Sequence, residues 1–339
     1  MKLLVLGGTV FLGRHVVERA LDRGHDVTLF NRGRHGAELF PEVEKLRGNR
    51  DSELAPLRGR RWDAVVDTSG YVPRVVRAAA ELLSPSIDRY IFVSSVSVYA
   101  DTSAEGIDEA APVESLHDPT MEDVDEHYGA LKALCEAKLK ETLPGRACSV
   151  RAGLLVGPHD PTHRFTYWVT RIAEGGRVLA PEPRDQPVQF IDARDLAAWM
   201  VDVAEHGRSG VFNVTGPLAT MTMEELLQAI VRATNSRAEL VWASDEFLIR
   251  GGVEPWSDLP LWLAARHQPA IAGFFSIDIS RARAAGLTTR SVDDTVRDTL
   301  GWAASADPVD HDDPEPGGAG LTRDRERELI TAWTKRSRP

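Results

Sequence analysis

Cysteine is nearly missing from this chain: Cys135 and Cys148 are the two among 339 residues. Two thiols build no disulfide framework, and their positions offer no metal-type spacing. The reading is a reducing, cytoplasmic setting with buried structural thiols and no metal site. Positive charge is also in deficit. Lys and Arg total 40 against 51 Asp and Glu, a formal net charge of −11. That balance opposes non-specific binding to nucleic acid or to an anionic membrane surface. No apolar run approaches the roughly 20 residues that a membrane-spanning helix needs. The opening "MKLLVLGG" runs into glycine too early for a secretory signal. No internal repeat with a fixed period is present.

What remains is the composition of a globular protein, with 42% hydrophobic and 27% charged residues, in a chain long enough for one large α/β domain or two joined lobes. Short apolar runs at residues 2–6 (KLLVL), 62–68 (WDAVVDT), 89–95 (RYIFVSS) and 146–152 (RACSVRA), with "HDVTLF" between the first two, read as buried strands. Helical spacing separates them at 11–23, about 72–83 and 127–142. Strands alternating with helices predict a doubly wound parallel sheet of the Rossmann type.

Beyond residue 155 the alternation loosens. "RFTYWVTRIAEGG" and "ARDLAAWMVDVAEHG" read as helices, "PVQFID" and "GVFNVTG" as strands, and Thr222 with Glu225 forms a capping box for the helix that follows. The expected layout is a dinucleotide-binding domain at 1–155, joined again by 187–215. A smaller, partly helical substrate lobe takes 156–186 and 216–303. An acidic, Pro/Gly-rich linker at 304–320 leads to a C-terminal helix and tail at 321–339.

The stretch "LVLGGTVFLGRH" places Gly7, Gly8 and Gly13 between a strand and a helix. Glycines there permit a tight turn, close approach of backbone N–H groups to a pyrophosphate, and helix–strand contact. Thr9, Phe11 and Leu12 complete the loop and open the helix whose N-terminus faces the phosphates. At the end of the second strand, where an NAD site usually carries a carboxylate, stand Asn31, Arg32 and Arg34. Guanidinium groups pair with a 2′-phosphate that a carboxylate would repel. The cofactor expected is NADP(H), with NAD(H) as the alternative.

"HYGALKALCEAKLK" puts Tyr128 and Lys132 on one helix face. A neighbouring cation favours the phenolate and brings tyrosine toward acid–base work near neutral pH. The preceding strand ends in Ser94 and Ser95, either of which can hydrogen-bond a carbonyl or alcohol.

With "GGTVFLG", "VSSVSVYA", "YGALK", "VRAGLLVGP" and "PVQFIDARDLA" in this order over roughly residues 1–300, the chain resembles the extended short-chain dehydrogenases/reductases, the superfamily of NAD-dependent epimerases and dehydratases. The resemblance implies Ser95 as catalytic serine, Tyr128 as general acid/base and Lys132 as its partner, which also binds the nicotinamide ribose. It places Asp51 near the adenine, and Thr68, Ser69 and Gly70 beside the cofactor, with Ser94 assigned to the cofactor's surroundings. It also implies a homodimer, in which the helix bearing Tyr128 is one of those that pair.

Two departures stand out. Leu154 occupies the position of an asparagine that helps hold the diphosphate of nucleotide sugars, and Val10 replaces the loop's third glycine. Both point to an atypical branch that also contains chloroplast RNA-binding proteins. Arg164, Tyr167 and Trp168, just after the sixth strand, are expected substrate contacts. The leading expectation is an NADP(H)-dependent oxidoreductase interconverting a carbonyl and an alcohol on a small metabolite. The alternatives are an epimerase or dehydratase of a sugar or nucleotide sugar, and a non-catalytic nucleotide- or RNA-binding protein.

Overall fold

The computed structural model describes residues 1–118, 120–305 and 319–336. Most of the segment read as a linker, 306–318, lies outside the described residues, as does the tail 337–339. No helix among the described residues is long and apolar enough to cross a membrane.

Strand β1 (Lys2–Leu6) leads through the glycine turn into helix α1 (Phe11–Asp22), followed by β2 (Asp26–Asn31) and β3 (Glu44–Arg47). Next come β4 (Ala64–Asp67), α2 (Pro73–Leu83), β5 (Arg89–Ser95), α3 (Val124–Thr142) and β6 (Ala147–Ala152). The strand Gly210–Val214 then adds beside β6. Together they form one seven-stranded parallel sheet, ordered Gly210–Val214, β6, β5, β4, β1, β2, β3. The expected doubly wound parallel α/β sheet is therefore present. Strand order reverses between β1 and β4, and open α/β sheets bind ligands in the crevice beyond the C-terminal ends of strands at such a point.

The strands are apolar on both faces because helices cover both. Leu3 and Val5 pack with α1 and with α5 (Ala193–Glu205), while Leu4 and Leu6 pack with α2 and α3. β3 was not foreseen. Its sequence, EKLR, has no fully buried residue, so an edge strand there leaves no apolar run to read.

A separate core gathers helix α4 (Arg164–Ala173), α6 (Met223–Ala233) and the parallel pair Arg177–Pro181 and Glu239–Ala243. Thr222 caps α6 in the expected box with Glu225. "PVQFID" is not one strand: Pro187–Val188 pairs with Met221–Thr222, and Ile191–Asp192 pairs with Leu155–Val156.

Tyr167 and Trp168 correct an expectation. Both are fully buried in this core, with Trp168 Nε1 donating to the Pro260 carbonyl at 2.7 Å. They lie one turn inside α4, beneath the residues that line the cleft, so neither is placed to touch substrate. The final helix, Arg323–Arg336, docks on the same core. Buried Glu326 accepts from Arg171 of α4 at 2.6 Å and from the Leu179 N–H at 3.0 Å.

Candidate active site

A cleft of about 950 Å³ lies across the C-terminal edge of the sheet. Gly7 and Gly8 have φ of +113° and +91°, open to glycine and strained for other residues. A Cβ on Gly13 would sit 2.8 Å from the Gly8 nitrogen, so the start of α1 seats directly on the turn. Val10 needs no glycine: its φ of −128° and ψ of 136° are extended, and it precedes a helix start with no side-chain cap. The first N–H groups of α1 therefore remain available to an anion. Thr9, Phe11 and Leu12 line the same wall.

Asn31 supports the turn. Its Nδ2 donates to the Gly7 carbonyl at 3.0 Å, and its Oδ1 accepts from the Gly33 N–H and from Arg47. Arg32 and Arg34 are exposed on the cleft lip, and neither makes an ion pair among the described residues. Asp51 also lines the cleft, paired with Arg74, which in turn pairs with Glu122. Thr68 and Ser69 hydroxyls each donate to the Leu6 carbonyl at 3.1 Å, tying the loop after β4 to the end of β1.

Beneath this loop lies a network that sequence reasoning missed. Buried Asp67 accepts from both terminal nitrogens of Arg50 and from the Tyr90 hydroxyl at 2.7 Å. Burial pushes its carboxyl up, but Arg50, Tyr90 and the Ser69 N–H together hold it below its ordinary range. Asp67 ends a strand, where spacing gives no hint that its partner is 17 residues earlier.

Ser95, Tyr128 and Lys132 meet midway along the cleft. The geometry depends on Gly129, where a Cβ would fall 2.1 Å from the Ser97 carbonyl oxygen. Only a missing side chain lets α3 press against the turn Val96–Val98, whose N-terminal cap is Ser95 itself. The helix backbone also breaks at His127 (φ −124°, ψ 29°), so regular helix starts at Tyr128. Burial pushes the Tyr128 hydroxyl up to about 12, opposed by its side-chain hydrogen bond with Ser95.

Lys132 is buried. Its Nζ donates to the carbonyls of Gly70 and Val93, each at 2.7 Å, and burial pushes it down to about 8. The ammonium lies 5.8 Å from the Tyr128 ring centre and 4.7 Å from that of Tyr71, a cleft residue the sequence did not single out. Gly70 thus contributes through its carbonyl. Of the two serines, Ser95 is the one beside Tyr128. Ser94 lines the cleft with a buried hydroxyl that has no hydrogen-bond partner.

The far end of the cleft is formed by Leu154, Asp160, Thr162, Arg164, Trp256 and Phe274. Arg164 is where the sequence placed it. Trp256 and Phe274 come from about a hundred residues later; they are among the smaller lobe's aromatics, of which the sequence suggests that most pack in the core and a few line an apolar wall.

The NAD dependent epimerase/dehydratase family's sequence model matches residues 59–215, a segment holding Ser95, Tyr128 and Lys132 but not the glycine loop. An Arabidopsis thaliana chloroplast stem-loop binding protein of 41 kDa is 24% identical over 250 residues, 68% of this chain and 63% of its own length, so under two thirds of that relative is spanned. A dTDP-6-deoxy-L-talose 4-dehydrogenase (NAD(P)(+)) from Kitasatospora kifunensis is 28% identical over 273 residues, 70% of this chain and 81% of its own. The fold is shared with UDP-glucuronic acid 4-epimerase from Bacillus cereus in complex with NAD (TM-score 0.64, 17% identity, 89% of this chain and 98% of that one). It is shared equally with the UDP-Glc/GlcNAc 4-epimerase of Campylobacter jejuni (TM-score 0.66, 14% identity, 90% and 99%). The sheet, the cleft and the matched segment agree: residues 59–215 are similar to the NAD dependent epimerase/dehydratase family, and the chain shares its Rossmann-type fold with these 4-epimerases.

Proposed function

We propose that this protein interconverts a secondary alcohol and a carbonyl on a small substrate, using NADP(H). The observation that carries the reading is the convergence of Ser95, Tyr128 and Lys132 beside a glycine turn whose close packing leaves no room for a Cβ at Gly7, Gly8 or Gly13. The turn fits a pyrophosphate, and the unpaired Arg32 and Arg34 fit a 2′-phosphate. Gly7, Gly8 and Gly13 would hold the dinucleotide, and Lys132 would take its nicotinamide ribose. When bound, that group supplies the hydride acceptor or donor.

The chain's own residues handle the proton and the oxygen. Ser95 donates a hydrogen bond to the substrate oxygen, and Tyr128 takes the alcohol proton or returns it to the carbonyl oxygen. Lys132 sets a positive charge beside Tyr128, which favours the phenolate that takes the alcohol proton in oxidation and that is left behind by reduction. The Tyr128 hydroxyl, held at about 12, is an acid at neutral pH, so it starts a reduction already charged with its proton.

A second reading, an epimerase or dehydratase that oxidises and re-reduces one bound substrate, is favoured by the family whose model matches. Leu154, in place of an asparagine that holds a nucleotide diphosphate, weighs against a nucleotide-sugar substrate. The RNA-binding reading has one similar protein's name behind it, yet the chain retains a complete proton-transfer set.

Nucleotide exchange separates these readings. The purified protein is expected to release its nucleotide on dialysis and to bind NADP+ at least about tenfold more tightly than NAD+. Arg32→Ala should erase that preference by weakening NADP+ alone, as one charge-assisted contact is lost. Tightly retained NAD with no such preference would establish the second reading in its place.

A further inference from the structure

Three enclosed arginines meet a carboxylate, Arg151 with Glu136, Arg171 with Glu326 and Arg194 with Asp192, and half-buried Arg146 gives its donors to the Ser84 and Ile87 carbonyls. Arg164 has neither kind of partner among the described residues. It opens α4 inside the cleft, half-buried, and makes neither an ion pair nor a hydrogen bond among the described residues. Its guanidinium lies over the face of Trp256, 5.0 Å from the ring centre. Asp160 is the opposite charge acting on it, yet the two form no ion pair. Asp160 Oδ1 instead accepts from the Thr162 N–H and hydroxyl, both at 2.8 Å. Asp160 Oδ2 is sealed from solvent with no hydrogen-bond partner among the described residues.

Both sides of this contact are held by unusual backbone. His163, the cap before Arg164, has φ +53°, and Trp256 has φ +69° with its N–H bound to the Trp262 carbonyl at 2.9 Å. A bulky residue in the left-handed region is strained and persists where its surroundings enforce it. Phe274 and Phe275 flank Trp256 at 6.2 and 6.1 Å and fix the ring. The result is a rigid aromatic plate carrying a guanidinium whose donors are unspent, at the end of the cleft away from Arg32 and Arg34. A partly buried cation without a counter-charge is unfavourable until a ligand provides one.

We propose that Arg164, stacked on Trp256, is the receptor for an anionic group of the substrate, a carboxylate or a phosphate, with the substrate's apolar part lying on the Trp256–Phe274 wall. This rests on the reading that substrate enters the cleft beside Ser95 and Tyr128. A planar fork of donors suits either oxyanion. The substrate class is therefore an acidic carbonyl or alcohol compound rather than a neutral sugar.

The test is calorimetric titration of the full-length protein with benzoate, phenyl phosphate and UDP, and with neutral benzamide for comparison. Each is run with saturating NADP+, which blocks the nucleotide half, and without it. At least one anion is expected to bind about tenfold or more tightly than benzamide. Arg164→Gln should lose about tenfold of that affinity while Arg164→Lys keeps most of it, one charge-assisted contact being at stake. Tightest binding by benzoate assigns a carboxylate substrate, by phenyl phosphate a monophosphate, and by UDP a diphosphate. The proposal is overturned if no anion outbinds benzamide, or if Arg164→Gln binds as the wild type does. NADP+ affinity, read separately, should be equal in all three proteins and reports that the variants are folded. If NADP+ fails to bind, the cofactor reading falls, and the nucleotide-free titrations still decide the role of Arg164.

Discussion

The two halves of the cleft are built by different means. The half proposed for the nucleotide comes from one contiguous strand–turn–helix unit and the loops next to it, and the other is the half proposed for substrate. Its shape is set by what is missing: side chains at Gly7, Gly8 and Gly13. The substrate half is made of segments as distant as Leu154 and Phe274. Its shape is set by what is present, namely a packed aromatic wall and left-handed backbone at His163 and Trp256. A half defined by absence accepts one fixed ligand shape through backbone contacts. A half defined by side chains can change its ligand with few substitutions, which is why a shared fold says little about substrate.

Substitution at the seam between the halves should have the largest effect. Tyr128→Phe removes the proton carrier while keeping the ring, so turnover is expected to fall about 10²- to 10⁴-fold. Nucleotide affinity, measured in the same preparation, should hold, because the hydroxyl serves the substrate side. A matched loss of nucleotide binding would show that the two halves are one unit.

Next comes the support beneath the nucleotide half. Arg50→Met leaves the fully buried Asp67 carboxylate without its guanidinium. Breaking such a pair costs about 3–5 kcal/mol. Chemical denaturation should show that loss, and nucleotide binding should weaken with it because Ser69 bonds both Arg50 and the end of β1. Unchanged stability would mean that the network is ornamental to the cleft.

The smallest effect is expected in the substrate half, at Asp160, and it depends on pH. Burial pushes this carboxyl from 3.8 up to about 6, against the bonds from Thr162 and the charge of Arg164. Between those values the folded protein binds more protons than the unfolded chain. Its contribution is therefore full below about 3.8 and is lost as pH rises through about 6. The difference in unfolding free energy between wild type and Asp160→Asn should shift by up to about 3 kcal/mol across that window, against the wild type at the higher pH. A flat difference would show that Asp160 titrates as an exposed acid does.

The contrast between the halves also governs how much could be read from sequence. The glycine loop, Asn31 with its arginines, and the Tyr128–Lys132 pair are local patterns whose geometry follows from a strand end or one helix face. The sheet was legible for the same reason, since β1, β2, β4, β5 and β6 are short, mostly buried runs with apolar residues at their centres. Edge strand β3 has no such run and was not legible. Tyr167 and Trp168 misled because aromatic residues after the sixth strand suit a cleft and a core equally, and only the rotation of α4 decides. Arg164 lies one turn earlier on the same helix and reaches the cleft because it is the first residue of α4, while Tyr167 and Trp168 lie a turn deeper in the core. Gly129, Arg50 and Trp256 depend on contacts with distant segments, which spacing does not encode.

The buried carboxylate of Glu326 has a consequence for the order in which the molecule can be assembled. The parallel sheet has all its strands once Val214 is in place, so the nucleotide half can close with over a hundred residues still to come. The second core cannot. Arg171, on the helix that opens with Arg164, has no carboxylate partner of its own depth until Glu326 arrives from the last described helix. Reading the chain from its start, the glycine turn and the Ser95–Tyr128–Lys132 set are in place early, and the second core receives the buried carboxylate that pairs Arg171 only near the end.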